Sequence, residues 1–113
     1  MLAKDNRVTR PSDFRAAVRT GRRLGAPSVL VHMVSRGDSG PTRFGFIVTK
    51  AVGGAVVRNR VRRRLRAVCR DILPSLQSGD DVVVRALPAC VNVTWASLHL
   101  EIAGAVRRGN ART

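Results

Sequence analysis

The apolar positions of the chain fall into short runs and stripes separated by Gly, Pro and polar clusters, and each run has its own period. The clearest stripe lies in residues 56–72. At about 100° per residue, Val57, Val61, Leu65, Val68, Cys69 and Ile72 fall within an arc of about 120°, the mark of a helix with one buried side. It stops before Pro74. Near the start, Thr9 is placed to cap a short helix with Pro11 in its first turn and Gly21 as its stop, showing Phe14, Ala17 and Val18 on one side. Residues 28–34 (SVLVHMV) are β-branched and short, which predicts a strand, and 35–42 (SRGDSGPT) is its loop. Residues 43–49 (RFGFIVT) are the next strand, hence a hairpin. Gly53 and Gly54 break the pattern before the long helix. Residues 78–81 are a turn, 81–86 (DVVVRA) a third strand closed by Pro88, and Thr94 caps a last helix carrying Trp95, Leu98, Ile102, Ala105 and Val106 inward. Residues 1–9 read as a flexible polar arm and 109–113 as a flexible tail. No internal repeat or low-complexity segment breaks the single domain, and the element order describes a small sandwich of one sheet backed by helices.

Charge changes this picture more than length does. The 113 residues suffice for one domain and a modest core, but 21 Lys plus Arg stand against 7 Asp plus Glu, a formal charge of +14. A compact domain with that excess repels itself unless a polyanion neutralises it, and nucleic acid is the first candidate. A membrane surface is the second, but it calls for a basic helix with aromatic anchors, and the single Trp lies elsewhere. No apolar run reaches the roughly 18 residues of a membrane span and the N-terminus lacks a signal-peptide stretch, so no membrane association and a cytoplasmic location are expected. Cys69 and Cys90, too few for a disulfide framework and without metal-ligand spacing, read as reduced packing residues.

The charge concentrates on the helix of residues 56–72. Asn59, Arg63, Arg66 and Arg70 project opposite the apolar arc, Arg60, Arg62 and Arg64 flank it, and Arg58 falls at its edge. No acid intervenes before Asp71. Like charges at i, i+4, such as Arg58 with Arg62 and Arg66 with Arg70, each cost a few tenths of a kcal/mol, and a helix selected for stability alone would intersperse Glu. All the basic residues but Lys4 and Lys50 are Arg, whose planar fork binds phosphate through two hydrogen bonds.

Other chemistry is weaker. His32 and His99 would have to meet across a scissile phosphate to act as the acid and base of a protein ribonuclease, and nothing in the pattern brings them together. His99 sits beside core positions, whereas His32 alternates with Leu30 and Val34 on one strand face, where it could stack on a base. Gly53 and Gly54 precede a helix without a GxxxxGK(S/T) string and read as a turn. RFGFIV at 43–48 partly matches the aromatic strand of an RNA-recognition motif, but the element order is wrong for that fold, so Phe44 and Phe46 are expected in the core.

The string FGFIVTKAVGGAVVRNRVRRRLR, residues 44–66, resembles the signature of the bacterial ribonuclease P protein subunit, centred on Arg58-Asn59-Arg60 after GlyGlyAlaVal. The resemblance extends over nearly the whole chain, through the SerAspPhe of residues 12–14, the ThrGlyArgArg that follows, the ValValVal strand and the closing helix. It implies an α+β two-layer sandwich of αβββαβα order, ribosomal protein S5 domain 2-like, with a four-stranded mixed sheet and a left-handed β-α-β crossover, an exception to the usual handedness. It also implies the protein subunit of a ribonucleoprotein endoribonuclease that removes the 5′ leader of precursor tRNA. In that family the RNA subunit carries the catalysis and its Mg2+ ions, so no catalytic or metal-binding residue is expected on this chain. By motif, Arg58, Asn59, Arg60, Arg62, Arg63, Arg66 and Arg70 would face the RNA with Lys50 at the rim. Phe14, Val18, Leu30, His32 and Ile47 would line a cleft for the single-stranded leader. The partners implied are the catalytic RNA and precursor tRNA, with the free protein a monomer. Val18 stands where many members carry a second aromatic, and Ala51 where a second basic residue is usual.

Overall fold

The computed structural model describes residues 2–76 and 78–110. Its elements run α1 (Pro11–Thr20), β1 (Arg22–Gly25), β2 (Val29–Ser35), β3 (Arg43–Ile47), α2 (Ala55–Ile72), β4 (Asp80–Ala86) and α3 (Trp95–Asn110). The four strands form one mixed sheet in the order β1-β2-β4-β3, with β2 antiparallel to β1 and β4, and β3 parallel to β4. The αβββαβα order implied by the resemblance is therefore present. The hairpin expected between the second and third strands is not, because β4 inserts between them and pairs with both. The true hairpin is β1–β2, closed by the Ala26 N–H donating to the Val29 carbonyl at 3.0 Å.

α2 and α3 cover one face of the sheet. Val61, Leu65, Val68, Cys69 and Ile72 of α2 and Leu98, Ile102, Ala105 and Val106 of α3 are buried against Val29, Val31 and Met33 of β2, Phe44 of β3, and Val82, Val84 and Ala86 of β4. The α2 stripe is the one its period predicts, and Phe44 and Phe46 belong to the core as expected. The Thr94 cap also forms, its Oγ1 accepting from the Ser97 N–H at 3.1 Å. α1 lies across the reverse face and buries Ala17 there. With both faces covered in the middle of the sheet, β4 reads as a continuous apolar run rather than an alternation.

The hand of the β3–α2–β4 crossover follows from hydrogen bonds and chirality. Arg36 N–H donates to the Gly79 carbonyl at 2.8 Å and Leu87 N–H to the Ser28 carbonyl at 3.0 Å, in the register that pairs Val29 with Ala86. By the two-residue alternation of an antiparallel ladder, Asp81, Val83 and Arg85 then turn their amides toward β2, and Val82 and Val84 turn theirs toward β3. Val82 and Val84 point their side chains at α2 and α3. For L-residues seen from the helices with β4 running upward, that combination puts β3 on the right. The chain passes from β3 through α2 in front to β4 on the left, so the crossover is left-handed, as the resemblance implies and against the usual rule.

Four local expectations are corrected. α1 has Arg10, not Thr9, as its N-cap, and no side chain caps it. Residues 1–9, expected as a flexible arm, are instead laid against the sheet from Leu2 onward: Lys4–Asn6 form a short 3-10 turn, Val8 N–H donates to the Phe44 carbonyl at 2.8 Å, and Leu2 and Val8 are buried. Trp95, expected inward, is 44% exposed. Of the expected tail, Gly109 and Asn110 complete α3, with Gly109 buried, and residues 111–113 lie outside the described residues.

Candidate nucleic-acid interface

α2 is built from residues that favour helix, and its arginines project away from the buried stripe. Lys50, Asn59, Arg60, Arg63 and Arg70 are exposed, and Arg58, Arg62 and Arg66 half-buried. No acidic side chain pairs with an α2 arginine among the described residues. Arg62 Nη1 donates to Asn59 Oδ1 at 3.1 Å, which fixes both on the helix surface. Arg58 lies at the edge of the stripe, as its wheel position indicates, and its buried Nε has no hydrogen-bond partner among the described residues. Arg64 differs from its neighbours. Its guanidinium donates to the carbonyls of Cys90 (3.4 Å) and Val93, tying α2 to the turn of residues 88–91 that leads into α3.

The few acids explain why this face stays bare. Asp81 is buried and accepts from Arg36 Nη1 at 2.7 Å and from Arg43 Nε and Nη2 at 2.8 and 2.7 Å. Burial alone would raise the Asp81 pKa, but the hydrogen bonds from Arg43 and Arg36 outweigh it and hold the carboxyl below its ordinary range. Arg36 also meets Asp38, and Arg43 reaches Asp13 on α1. Asp71 receives His99 Nε2 at 2.8 Å, and Glu101 accepts from the backbone and hydroxyl of Ser28. Arg36 and Arg43 are thus structural cations, while Arg60, Arg63 and Arg70 of α2 are left to solvent.

The residues expected to line a cleft share the reverse face of the sheet. Phe14 lies directly over Gly45, where a Cβ would come within 2.6 Å of the ring, so this crossing requires glycine. Val18 on α1 is exposed, and Leu30 and Ile47 are half-buried. His32 is different: it is 4% exposed, and neither ring nitrogen has a hydrogen-bond partner among the described residues. A base cannot stack on its face while it is covered. Burial first, then the charges of Arg23 and Arg85, lower its pKa and keep the imidazole neutral. Two cations on this face escape the motif-based reading. Arg85 of β4 is exposed and pairs across the sheet with Leu30 on one side and Ile47 on the other, and exposed Arg23 pairs with His32. The two-residue alternation of strand geometry puts Arg85 on the face opposite Val82 and Val84, and as the one basic residue of DVVVRA it is the signal available in the sequence.

The remaining candidates separate. His32 points to the reverse face of β2 while His99 lies on α3, packed on the other, so the sheet stands between the two imidazoles. His99 instead bridges Asp71 and the Trp95 ring, whose centroid is 5.1 Å away. Cys69 and Cys90 are buried free thiols, and burial raises both pKa values, so they pack rather than react. Gly54 is the N-cap of α2 and its carbonyl accepts from Arg58 N–H at 2.9 Å, a structural turn. Among the described residues, no cluster of three His, Cys, Asp or Glu side chains could hold a metal ion, and no helix is long and apolar enough to cross a membrane.

The family model described as Ribonuclease P matches residues 2–109. The chain is 47% identical over 108 residues to the ribonuclease P protein component of Clavibacter michiganensis, covering 96% of each chain. It is 48% identical over 123 residues to that of Streptomyces avermitilis, covering 99% of this chain and all of the relative. In fold it matches a Staphylococcus aureus RNase P protein mutant with a TM-score of 0.85 at 20% identity, over 95% of this chain and 90% of the other.

Proposed function

The chain belongs to the ribonuclease P protein family, and from that premise we propose that α2 docks on the catalytic RNA while the reverse face of the sheet holds the 5′ leader of precursor tRNA. The chain is the protein component of the endoribonuclease ribonuclease P in tRNA 5′ processing, with the catalytic role on the RNA. What supports the finer reading is the cationic face of Arg60, Arg63, Arg66 and Arg70, which meets no acid within the described fold. Guanidinium groups left to solvent release counterions when they meet phosphate, and that release drives association. Asn59, oriented by Arg62, adds a hydrogen-bonding group beside the charges. On the reverse face, the Phe14 ring and the cations Arg23 and Arg85 form a stacking and charged surface suited to an unpaired strand, without groups for strong sequence readout.

Magnesium enters through the RNA in this reading. Among the described residues no three His, Cys, Asp or Glu side chains come together to hold it, and Asp81, Asp38 and Asp13 are engaged by guanidinium groups and Asp71 by His99. The free protein is taken to be a monomer that meets precursor tRNA only alongside the RNA subunit.

Reconstitution tests the reading. The chain combined with its RNA subunit should cleave precursor tRNA at low magnesium concentration, and the chain alone should not. Adding the protein should tighten binding of a precursor with a long leader more than one with a single-nucleotide leader. Cleavage by the protein alone, or equal tightening for both substrates, would overturn the assignment of roles.

A further inference from the structure

We propose that the trough between α2 and the start of α3 is a docking site for one unpaired nucleobase of the RNA subunit, with Trp95 as its stacking platform. This rests on the reading of α2 as an RNA-binding face, and assigns a second, base-contacting site to the side of the molecule away from the leader-binding face. Two open cavities of about 440 and 430 Å³ meet at Ala67 and Trp95. The first is walled by Arg60, Arg63, Arg64 and Arg66, the second by Arg70, Asp71 and Pro74. Trp95 is 44% exposed although it belongs to a helix whose next inward residues, Leu98 and Ile102, are completely buried.

The surroundings select the occupant. Ala67 leaves the trough open between the longer arginine side chains, whose aliphatic stems make an apolar wall under charged tips. A planar apolar ring with a phosphate on either side matches that arrangement, whereas a lipid tail or an apolar helix would leave the guanidinium tips without anionic partners. The one carboxylate at the rim, Asp71, is occupied by His99. His99 also sets the indole, its ring lying 5.1 Å away at 41°, and the Thr94 cap and the Arg64 bonds to Cys90 and Val93 fix the approach to α3. The platform is therefore held in place before RNA arrives, which limits the side-chain entropy lost on stacking.

Trp95 is the only Trp and the chain has no Tyr, so its fluorescence reports this site alone. Titrating the full chain with the transcribed RNA subunit at fixed salt should quench indole emission to a stoichiometric endpoint, whereas heparin, a polyanion without bases, should bind with little quenching. Trp95→Ala should weaken binding of the RNA subunit roughly 5- to 150-fold, the range of one base stacked on an aromatic ring, with an unchanged salt slope. Trp95→Phe should retain most of the affinity. RNA binding with a normal salt slope but no quenching, or equal quenching by heparin, would overturn this inference and leave the function of α2 standing. Failure of the parent chain to bind the RNA at all would remove both. If Trp95→Ala does not fold, Trp95→Phe and the quenching of the parent decide the matter.

Discussion

Asp81→Asn should destabilise the domain by about 2–4 kcal/mol at neutral pH while leaving the α2 face intact. Asp81 is 3% exposed and accepts three guanidinium hydrogen bonds at 2.7–2.8 Å from Arg36 and Arg43. Removing one partner of a fully buried ion pair costs about 3–5 kcal/mol, because the other charge is left without compensation. Here the two guanidiniums retain 16% and 27% of their side-chain exposure and keep secondary partners in Asp38 and Asp13, so they can partly rehydrate, which lowers the figure. Asn is nearly isosteric, but its amide presents N–H groups to a donor, so the geometry cannot be kept.

The acid dependence gives a second readout. The folded Asp81 pKa lies below its ordinary value, so its contribution is fully present above the unfolded pKa of about 3.9 and is lost as pH falls through the folded value. The stability difference between parent and variant, from urea unfolding at a series of pH values, should be constant near neutrality and shrink below about pH 4. A difference under about 1 kcal/mol at pH 7, or one that stays constant down to pH 2, would refute the argument that this buried carboxylate holds the Arg36 and Arg43 strands together.

Leu65→Ala, at a side chain with no exposure, should cost about 2–5 kcal/mol in urea melts. Arg63→Gln with Arg66→Gln should leave the melting temperature unchanged or slightly higher, since like charges are removed, while each change reduces the slope of log affinity against log salt for the RNA subunit by roughly 0.7–0.9. His32→Leu should raise stability by about 1–2 kcal/mol, because two buried ring nitrogens without partners are removed. The parent, with a lowered His32 pKa, should lose stability as pH falls below about 6.5, since the unfolded chain takes up a proton that the folded chain does not. The variant should lose less over that window, as measured by thermal melts.

The helices were more legible than the sheet, for physical reasons. α2 writes its burial into a 3.6-residue period over five turns, and every residue of that stripe but Val57 is fully buried. β1 has only Arg22, Arg23, Leu24 and Gly25, with one buried apolar side chain, and an edge strand that short carries no readable alternation. The hairpin expected between β2 and β3 failed because adjacency in sequence is a local signal, whereas β4 enters between them through pairings fixed only when α2 has crossed the sheet. The arm at residues 1–9 is polar in aggregate, yet its described part is anchored by the buried Leu2 and Val8, by Asn6 Nδ2 donating to the Thr42 carbonyl and by the Val8 N–H donating to the Phe44 carbonyl. Trp95 lies three positions before Leu98, a helical spacing that predicts an inward side chain, yet it is 44% exposed and lies beside Ala67 of α2.

The charged residues were legible in number but not in allegiance. Arg36 and Arg43 are indistinguishable in sequence from Arg63 or Arg66, yet the former are bound by Asp81 and the latter are not, because β2, β3 and β4 bring residues 36, 43 and 81 together from separate parts of the chain. The fold thereby sorts one basic composition into two populations. Those near Asp81 hold the end of the sheet where β2 leaves and β3 and β4 begin, and their removal should change stability. Those on α2 hold nothing in the protein except Arg62, which orients Asn59, and Arg64, which holds the approach to α3, so removing Arg63 or Arg66 should change affinity alone. Arg64 is the discriminating case. It sits inside the RNRVRRRLR run yet donates to backbone carbonyls, so its replacement should lower the melting temperature where that of Arg63, one residue away, should not.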